Sequence, residues 1–405
     1  MALSYRAATA SSAEVTEEAS VRAYIDNTLC ALFHELSLPP AVGRPSVTLR
    51  RRTNATSYRI NSVTGALEAV GPEAPYRTYS WPGSSASEAW RFTVIIRILA
   101  VIDEAMRTGQ MISKRDIYYI DPACFRSQSV VDGVVDDLAY TIGVERAAFN
   151  VEAAGKGLIT GSFILRQESQ VVLDARSSSQ DNLIPRLQDE DEIDIFGTRW
   201  ILVVEKEAVF HRLVRNNYHT TALAGKGIIV TVSLIVINHL ENVVNKNQGK
   251  GYPDLNTRAL VHRLVIISSA ENPRRPLPIY ALVDGDPDGI AIMSTYKYGS
   301  VAHFHENARF VVPGLQYLGL RISDAAMNPH MLTNANLLTL TARDRRKVAS
   351  MLHNSPILGV DGPELEWRVE LQRMLMLNMK AEIEILYEQD GGLEGWIDRK
   401  MFRQV

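Results

Sequence analysis

From Arg199 onward, short apolar runs alternate with mixed ones, and this alternation constrains the fold more than any other feature of the chain. WILVVE, ending at Glu205, reads as a strand. A helix beginning at Lys206 follows it, and then a second strand, GIIVT. A helix over residues 256–263, the strand IYALVDGD, a helix from Gly289 and the strand RFVVPG continue the series. Strands that are apolar at nearly every position are buried on both faces. A sheet covered on both faces by intervening helices is mainly parallel.

The remainder of the chain needs a second core, because 405 residues exceed what one hydrophobic core usually spans. Hydrophobic residues make up 46% and charged residues 22%, which excludes a largely disordered, collagenous or coiled-coil protein. The formal net charge of −3 argues against a globally basic nucleic-acid coat, so any nucleic-acid site is a local groove. The two cysteines, Cys30 and Cys124, cannot build a disulfide framework or a cysteine-based zinc site. They fit a reducing intracellular compartment. The first twenty residues lack the apolar core of a signal peptide, and the apolar stretch 227–237 is too short to cross a bilayer. No membrane association is expected.

Residues 13–36 read as a helix, ended by Pro39-Pro40. Residues 47–70 read as extended, and 72–86 as a Pro/Gly/Ser loop. A long amphipathic helix follows over 87–107, then a short helix capped by Ser113 and closed by Asp121-Pro122, then a third helix over 127–142. Two strands are expected around 149–153 and 158–165, joined through Gly155-Lys156-Gly157. Three helices followed by a strand pair is the order of a winged helix. Residues 168–195 are polar and acidic and read as a connection, and 341–386 reads as two helices. The expected organisation is multidomain α/β: an N-terminal helix (1–40), a winged-helix domain (41–167), the connection, and an α/β domain with a parallel sheet (196–405).

Three groups of residues can carry chemistry. Glu205, Asp284 and Asp286 lie at the carboxyl ends of two predicted strands, where the crevice of a parallel sheet lies. Gathered there they would suit Mg²⁺, although DGDPDG also reads as a polar turn. In KRDIYY, Arg115 and Tyr119 are four apart and share one helical face. A tyrosine phenol can attack a phosphodiester covalently, and a neighbouring cation can favour phenolate and balance charge building on phosphorus. By chemistry alone both tyrosines also read as packing aromatics. Finally, AAGKGLITG and QGKGYPDLNTR can bring backbone and lysine to a phosphate, but neither matches a Walker A loop, so ATP use is not supported.

In order along the chain come KRDIYYIDP, AAGKGLITG, LIPR, ILVVEKEAVFHRL, GKGYPDLNTR, ALVDGDPDGIAIMSTYKYGS and PGLQYLGL. Together these strings make the chain resemble the A subunit of topoisomerase VI, and most of all its eukaryotic relatives that make meiotic double-strand breaks. The resemblance is strongest over residues 87–325. It implies a winged-helix domain bearing the nucleophile and a Toprim domain bearing a Mg²⁺ site. Residue by residue, it assigns Tyr119 as nucleophile, Arg115 as its partner in the motif, and Glu205, Asp284 and Asp286 as metal ligands. Tyr118 is then structural, and metal binding is not carried to Asp288. The implied reaction is transesterification, leaving a 5′-phosphotyrosyl link and a free 3′-OH. The implied assembly is a homodimer on double-stranded DNA in the nucleus, with each active site shared between the two copies. The implied partners are meiotic accessory proteins and a transducer like the B component of topoisomerase VI; the N-terminal helix reads equally as the segment that such a transducer docks on and as a simple domain-packing helix. Lys156, Lys250 and Tyr252 are candidates for DNA contact, expected mainly to phosphates. The alternatives are a non-cleaving scaffold of the same fold and the DNA-cutting component of a resealing topoisomerase.

The chain departs from that pattern in one place. Relatives run from the strand IIVT directly into GKGYPDLNTR, whereas here VSLIVINHLENVVNKNQ, residues 232–248, intervenes. Its ends can be encoded by common splice-donor and splice-acceptor sequences, and its removal restores the junction in frame. A retained intron is therefore the favoured hypothesis over a loop insertion. The expected result is a poorly packed excursion without a catalytic residue.

Overall fold

The computed structural model describes residues 2–39, 41–50, 57–70, 75–144, 146–151, 157–176, 181–185, 187–188, 190–231, 255–300, 310–327, 331 and 337–403. Contacts divide the chain into two compact units. One comprises Met1–Ser57 and Val70–Ala154, and the other Tyr58–Ala69 and Gly155–Val405.

The first unit is mostly helical. The N-terminal helix runs over Ala2–Ser37, longer than expected, and buries Val21 and Ile25 in this unit's core. The helix Ala86–Thr108 puts Val94, Ile95, Ile98, Leu99 and Ile102 on one buried face, the spacing that drives an amphipathic helix into a core. Ser85 caps its start by accepting the Glu88 N–H, and Gly109, at φ 65°, ends it. The Glu88 carboxylate in turn accepts from Ser80 and Ser84, which holds it near pKa 2 and ties the helix start to the preceding strand. That strand, Tyr76–Ser80, pairs antiparallel with Ser46–Arg50. The helices Lys114–Ile120 and Gln128–Ile142 complete the expected trio.

The strand pair of the expected wing does not form as read from the sequence. Val151 makes only an isolated parallel bridge to Ile112, and residues 152–156 lie outside the described residues. Leu158–Gly161 instead belongs to the second unit, pairing antiparallel with Gly227–Thr231. Its Ile159 is fully buried in that unit's core, so burial there decides the partner.

The second unit is built on a six-stranded sheet. Its spatial order is Leu315–Tyr317, Ile279–Leu282, Trp200–Val204, Gly227–Thr231, Leu158–Gly161 and Asn182–Leu183. The first four strands are parallel, as the apolar runs predicted. Every residue of Trp200–Val204 and Gly227–Thr231 is buried, the pattern of strands covered on both faces. At Gly227 a Cβ would come within 2.2 Å of the Trp200 indole, so only glycine lets the indole lie against the neighbouring strand.

Four expectations change in this unit. The fourth parallel strand is Leu315–Tyr317, not RFVVPG, because Pro313-Gly314 turns the chain before it can pair. Residues 168–195 are no mere connection, since Gln170–Asp174 and Glu192–Asp194 flank Ile164–Gln167 in a three-stranded sheet. The helix expected over 256–263 is longer and runs over Leu255–Glu271. The C-terminal pair of helices is Ala342–Asn354 and Leu365–Leu377. A short strand, Met379–Ala381, a 3-10 turn, Ile383–Glu388, and a further helix, Gly392–Arg403, follow them. Residues 232–248 lie outside the described residues.

Candidate functional site

In the first unit the chemistry sits on the helix Lys114–Ile120. Ser113 and Asp116 form a reciprocal capping box, each side chain accepting the other's backbone N–H, so the first turn is fixed from its own sequence. Ile117 is wholly buried and Tyr118 packs against the same core. Lys114, one residue before Arg115, is drawn onto Asp136, to which Arg146 also pairs at 3.6 Å. Burial pushes the Lys114 ammonium below its usual pKa, although Asp136 opposes the shift.

With those residues turned inward, helical geometry turns Arg115 and Tyr119 outward. Tyr119 is 59% exposed. The Arg115 guanidinium donates to its hydroxyl at 3.4 Å and lies 5.8 Å from the ring centre. The arginine and tyrosine expected from their spacing to share a helical face are therefore together, with the tyrosine side chain open to solvent.

In the second unit the three carboxylates lie at the carboxyl edge of the parallel strands. Glu205, Asp284 and Asp286 are each 3% exposed, which is rare for acidic side chains. Glu205 follows Val204 directly, and its Oε2 accepts the Asp284 N–H at 2.8 Å. Asp284 Oδ1 accepts the Ile383 N–H at 2.9 Å, and Oδ2 lies 3.1 Å from the Lys206 ammonium. Asp286 caps the next helix, Pro287–Tyr298, by accepting the Gly289 N–H at 2.7 Å. Asp288 pairs with Lys347.

Burial raises the Asp284 pKa to about 6, with Lys206 pulling the other way and Asp286 adding repulsion. Burial also works against the charge on Lys206, but Asp284 and Glu384 more than offset it and hold the ammonium above its usual value. Among the described residues no three acidic, His or Cys side chains converge into a ready-made metal cage. The donor set nonetheless fits Mg²⁺, which takes one or two protein carboxylates directly and fills its shell with water and phosphate oxygen. Three buried hard oxygen donors, with the charge on Asp284 disfavoured by burial, are the fitting chemistry.

Sequence reasoning missed the C-terminal brace of this edge. Gly285 and Ala381 exchange backbone hydrogen bonds at 2.8 and 3.1 Å, and Ile383 and Glu384 reach Asp284 and Lys206. The only local signal was the lysine immediately after Glu205. Lys156, Lys250 and Tyr252 lie outside the described residues.

Two family models match the chain. That for "Type IIB DNA topoisomerase" covers residues 90–151 and so includes Arg115 and Tyr119. That for the Toprim domain shared by Spo11 and the A subunit of topoisomerase 6 covers 239–393. It includes Asp284 and Asp286, with Glu205 upstream of it. The meiotic recombination protein rec12 of Schizosaccharomyces pombe is 31% identical over 386 residues, 93% of each chain. This chain belongs to the SPO11 family.

Other members are also similar. The human meiotic recombination protein SPO11 is 28% identical over 92% of this chain and 84% of its own length. The A subunit of DNA topoisomerase 6 from Arabidopsis thaliana is 28% identical over 75% of this chain and 64% of its own length. The family resemblance read from the motif strings is thereby confirmed, and with it the presence of a Toprim domain, matched over residues 239–393.

Proposed function

We propose that this SPO11-family chain is the topoisomerase-like DNA transesterase that makes the double-strand breaks initiating meiotic recombination. One observation carries the reading. A single chain holds both an exposed Arg115–Tyr119 pair on a capped helix and three buried carboxylates, Glu205, Asp284 and Asp286, at the edge of a Toprim sheet. A non-cleaving scaffold would have no use for both.

Tyr119 attacks a DNA phosphodiester. The phenol oxygen bonds to phosphorus, the bond to the 3′ oxygen breaks, and that oxygen leaves as a 3′-OH. Arg115, already hydrogen-bonded to the phenol, balances charge building on the phosphoryl oxygens. Exchange of one phosphoester for another retains the bond energy, so the cut itself needs no nucleotide hydrolysis. Glu205, Asp284 and Asp286 would hold Mg²⁺. When bound, it supplies Lewis-acid stabilisation and a fixed seat for the phosphate. Their hydrogen bonds to the Asp284, Ile383 and Gly289 N–H groups keep that seat rigid.

A double-strand break needs two nucleophiles, so the working unit is a homodimer on double-stranded DNA in the nucleus. Lys156, Lys250 and Tyr252 serve as DNA contacts, and a transducer-like partner protein docks on the N-terminal helix. No described helix is long and apolar enough to cross a membrane.

The deciding experiment recovers the protein from meiotic cells under denaturing conditions and looks for covalently attached DNA. Short DNA linked through a tyrosyl 5′-phosphate supports cleavage. Protein free of DNA, from cells that still form breaks, would establish the scaffold reading instead.

A further inference from the structure

Lys206 stands where the strand ending at Val204 passes into the helix Glu207–Arg215. Its ammonium is shared among three carboxylates. Asp284 Oδ2 is 3.1 Å away, Glu384 Oε2 2.6 Å and Glu382 Oε2 3.9 Å. Only 19% of its side chain is exposed, so this is an enclosed ion cluster rather than a surface pair. The other Asp284 oxygen is already taken by the Ile383 N–H.

A divalent cation reaching Asp284 therefore meets a carboxylate on which a protein cation is seated. Two positive charges a few ångströms apart in an enclosed site repel strongly. A flexible lysine stem allows the ammonium to move. Glu384 already holds it, and Glu382 stands nearby on the same C-terminal segment, so a second seat exists within reach. That segment is also the one whose backbone braces Asp284 and Gly285.

We propose that Lys206 is a built-in competitor at the metal site, neutralising Asp284 in the metal-free protein and passing wholly onto Glu384 and Glu382 when a divalent cation takes Asp284. The inference rests on the reading of Asp284 as a metal ligand. Lys206 is then a positioning residue with two roles from one interaction. It relieves repulsion among the carboxylates when no metal is bound, and it lowers the affinity of the site for a metal. The Glu384 carboxylate sets the balance by offering the ammonium an alternative.

The test is Mn²⁺ binding to the full chain without DNA, followed by the electron paramagnetic resonance of the free ion. Lys206→Met is expected to bind Mn²⁺ at least about threefold more tightly, since a competing charge is gone. Lys206→Arg keeps the charge and leaves affinity at or below the wild-type value. Glu384→Gln weakens binding by at least about threefold, because the ammonium stays on Asp284. In the Lys206→Met background the same Glu384→Gln change has no effect.

Unchanged or weaker binding in a folded Lys206→Met protein overturns the proposal. So does an equal Glu384→Gln effect in both backgrounds, which would mean that Glu384 meets the metal itself. Where Lys206→Met melts below the wild type, Lys206→Gln takes its place in both comparisons, and unchanged or tighter binding in Glu384→Gln refutes the competitor in either case. Asp284→Asn separates the two levels. Lost binding there beside an unaffected Lys206→Met defeats only the competitor, whereas unchanged binding in Asp284→Asn defeats the metal reading and the competitor with it.

Discussion

The backbone N–H of Asp284 donates to the Glu205 carboxylate at 2.8 Å, joining the ends of two adjacent parallel strands through one of the residues assigned to metal. Glu205 thus supports the site as well as contributing charge to it. Glu205→Gln retains an acceptor for this N–H, so it is expected to keep the melting temperature close to wild type while losing Mg²⁺-dependent cleavage. Glu205→Ala leaves a buried donor unmet and should also destabilise the second unit by about 1–3 kcal/mol. Thermal melting set beside adduct formation, with and without EDTA, reads both effects. Equal melting of the two variants would show that the hydrogen bond does not matter.

Tyr119→Phe removes one oxygen from a side chain that is more than half exposed. Covalent DNA adducts should vanish while DNA binding persists and stability changes by less than about 0.5 kcal/mol. Tyr118→Phe should still form adducts, since Tyr118 packs against the helical core. Adducts persisting in the Tyr119 variant would reassign the nucleophile.

Ser113→Ala deletes half of the capping box that starts the tyrosine helix. The expected loss is about 1 kcal/mol, felt locally. Hydrogen exchange of the amides in 114–120 should quicken, and adduct yield should fall. Unaltered exchange there would show that the Lys114–Asp136 pair and Ile117 suffice to hold the helix.

Gly227→Ala would force a Cβ into the Trp200 indole. Overpacking against a fully buried ring should destabilise the second unit by about 2 kcal/mol or more, read as a lower chemical-denaturation midpoint. A smaller residue at 200 should recover part of the loss. An unchanged midpoint would mean that the two strands separate easily.

For residues 232–248, sequencing of meiotic transcripts across the junction between residues 231 and 249 is expected to find mature messages lacking these codons. A protein without them should cleave. If every mature message carries them, or if only the longer protein cleaves, the segment is a true insertion.

Local signals in the sequence determined much of this protein. Runs that are apolar at nearly every position, such as WILVV and GIIVT, announced strands buried on both faces. Ser113 and Asp116 specified a helix start, and the four-residue spacing put Arg115 beside Tyr119. The ordered motif strings identified the family. What the tertiary structure alone decided was which partner each segment takes. Leu158–Gly161 lies beside the helical segments in sequence, yet it pairs with Gly227–Thr231, because strand pattern states that a face is buried but not against what. Leu315–Tyr317 replaced the more apolar residues 310–312 as the fourth parallel strand once Pro313-Gly314 turned the chain. Lys206 and Glu384 are 178 residues apart and meet at 2.6 Å. Side-chain type and local spacing carry no information about such a meeting. Only the packing of the C-terminal segment against the sheet edge brings a second carboxylate to the lysine beside Asp284.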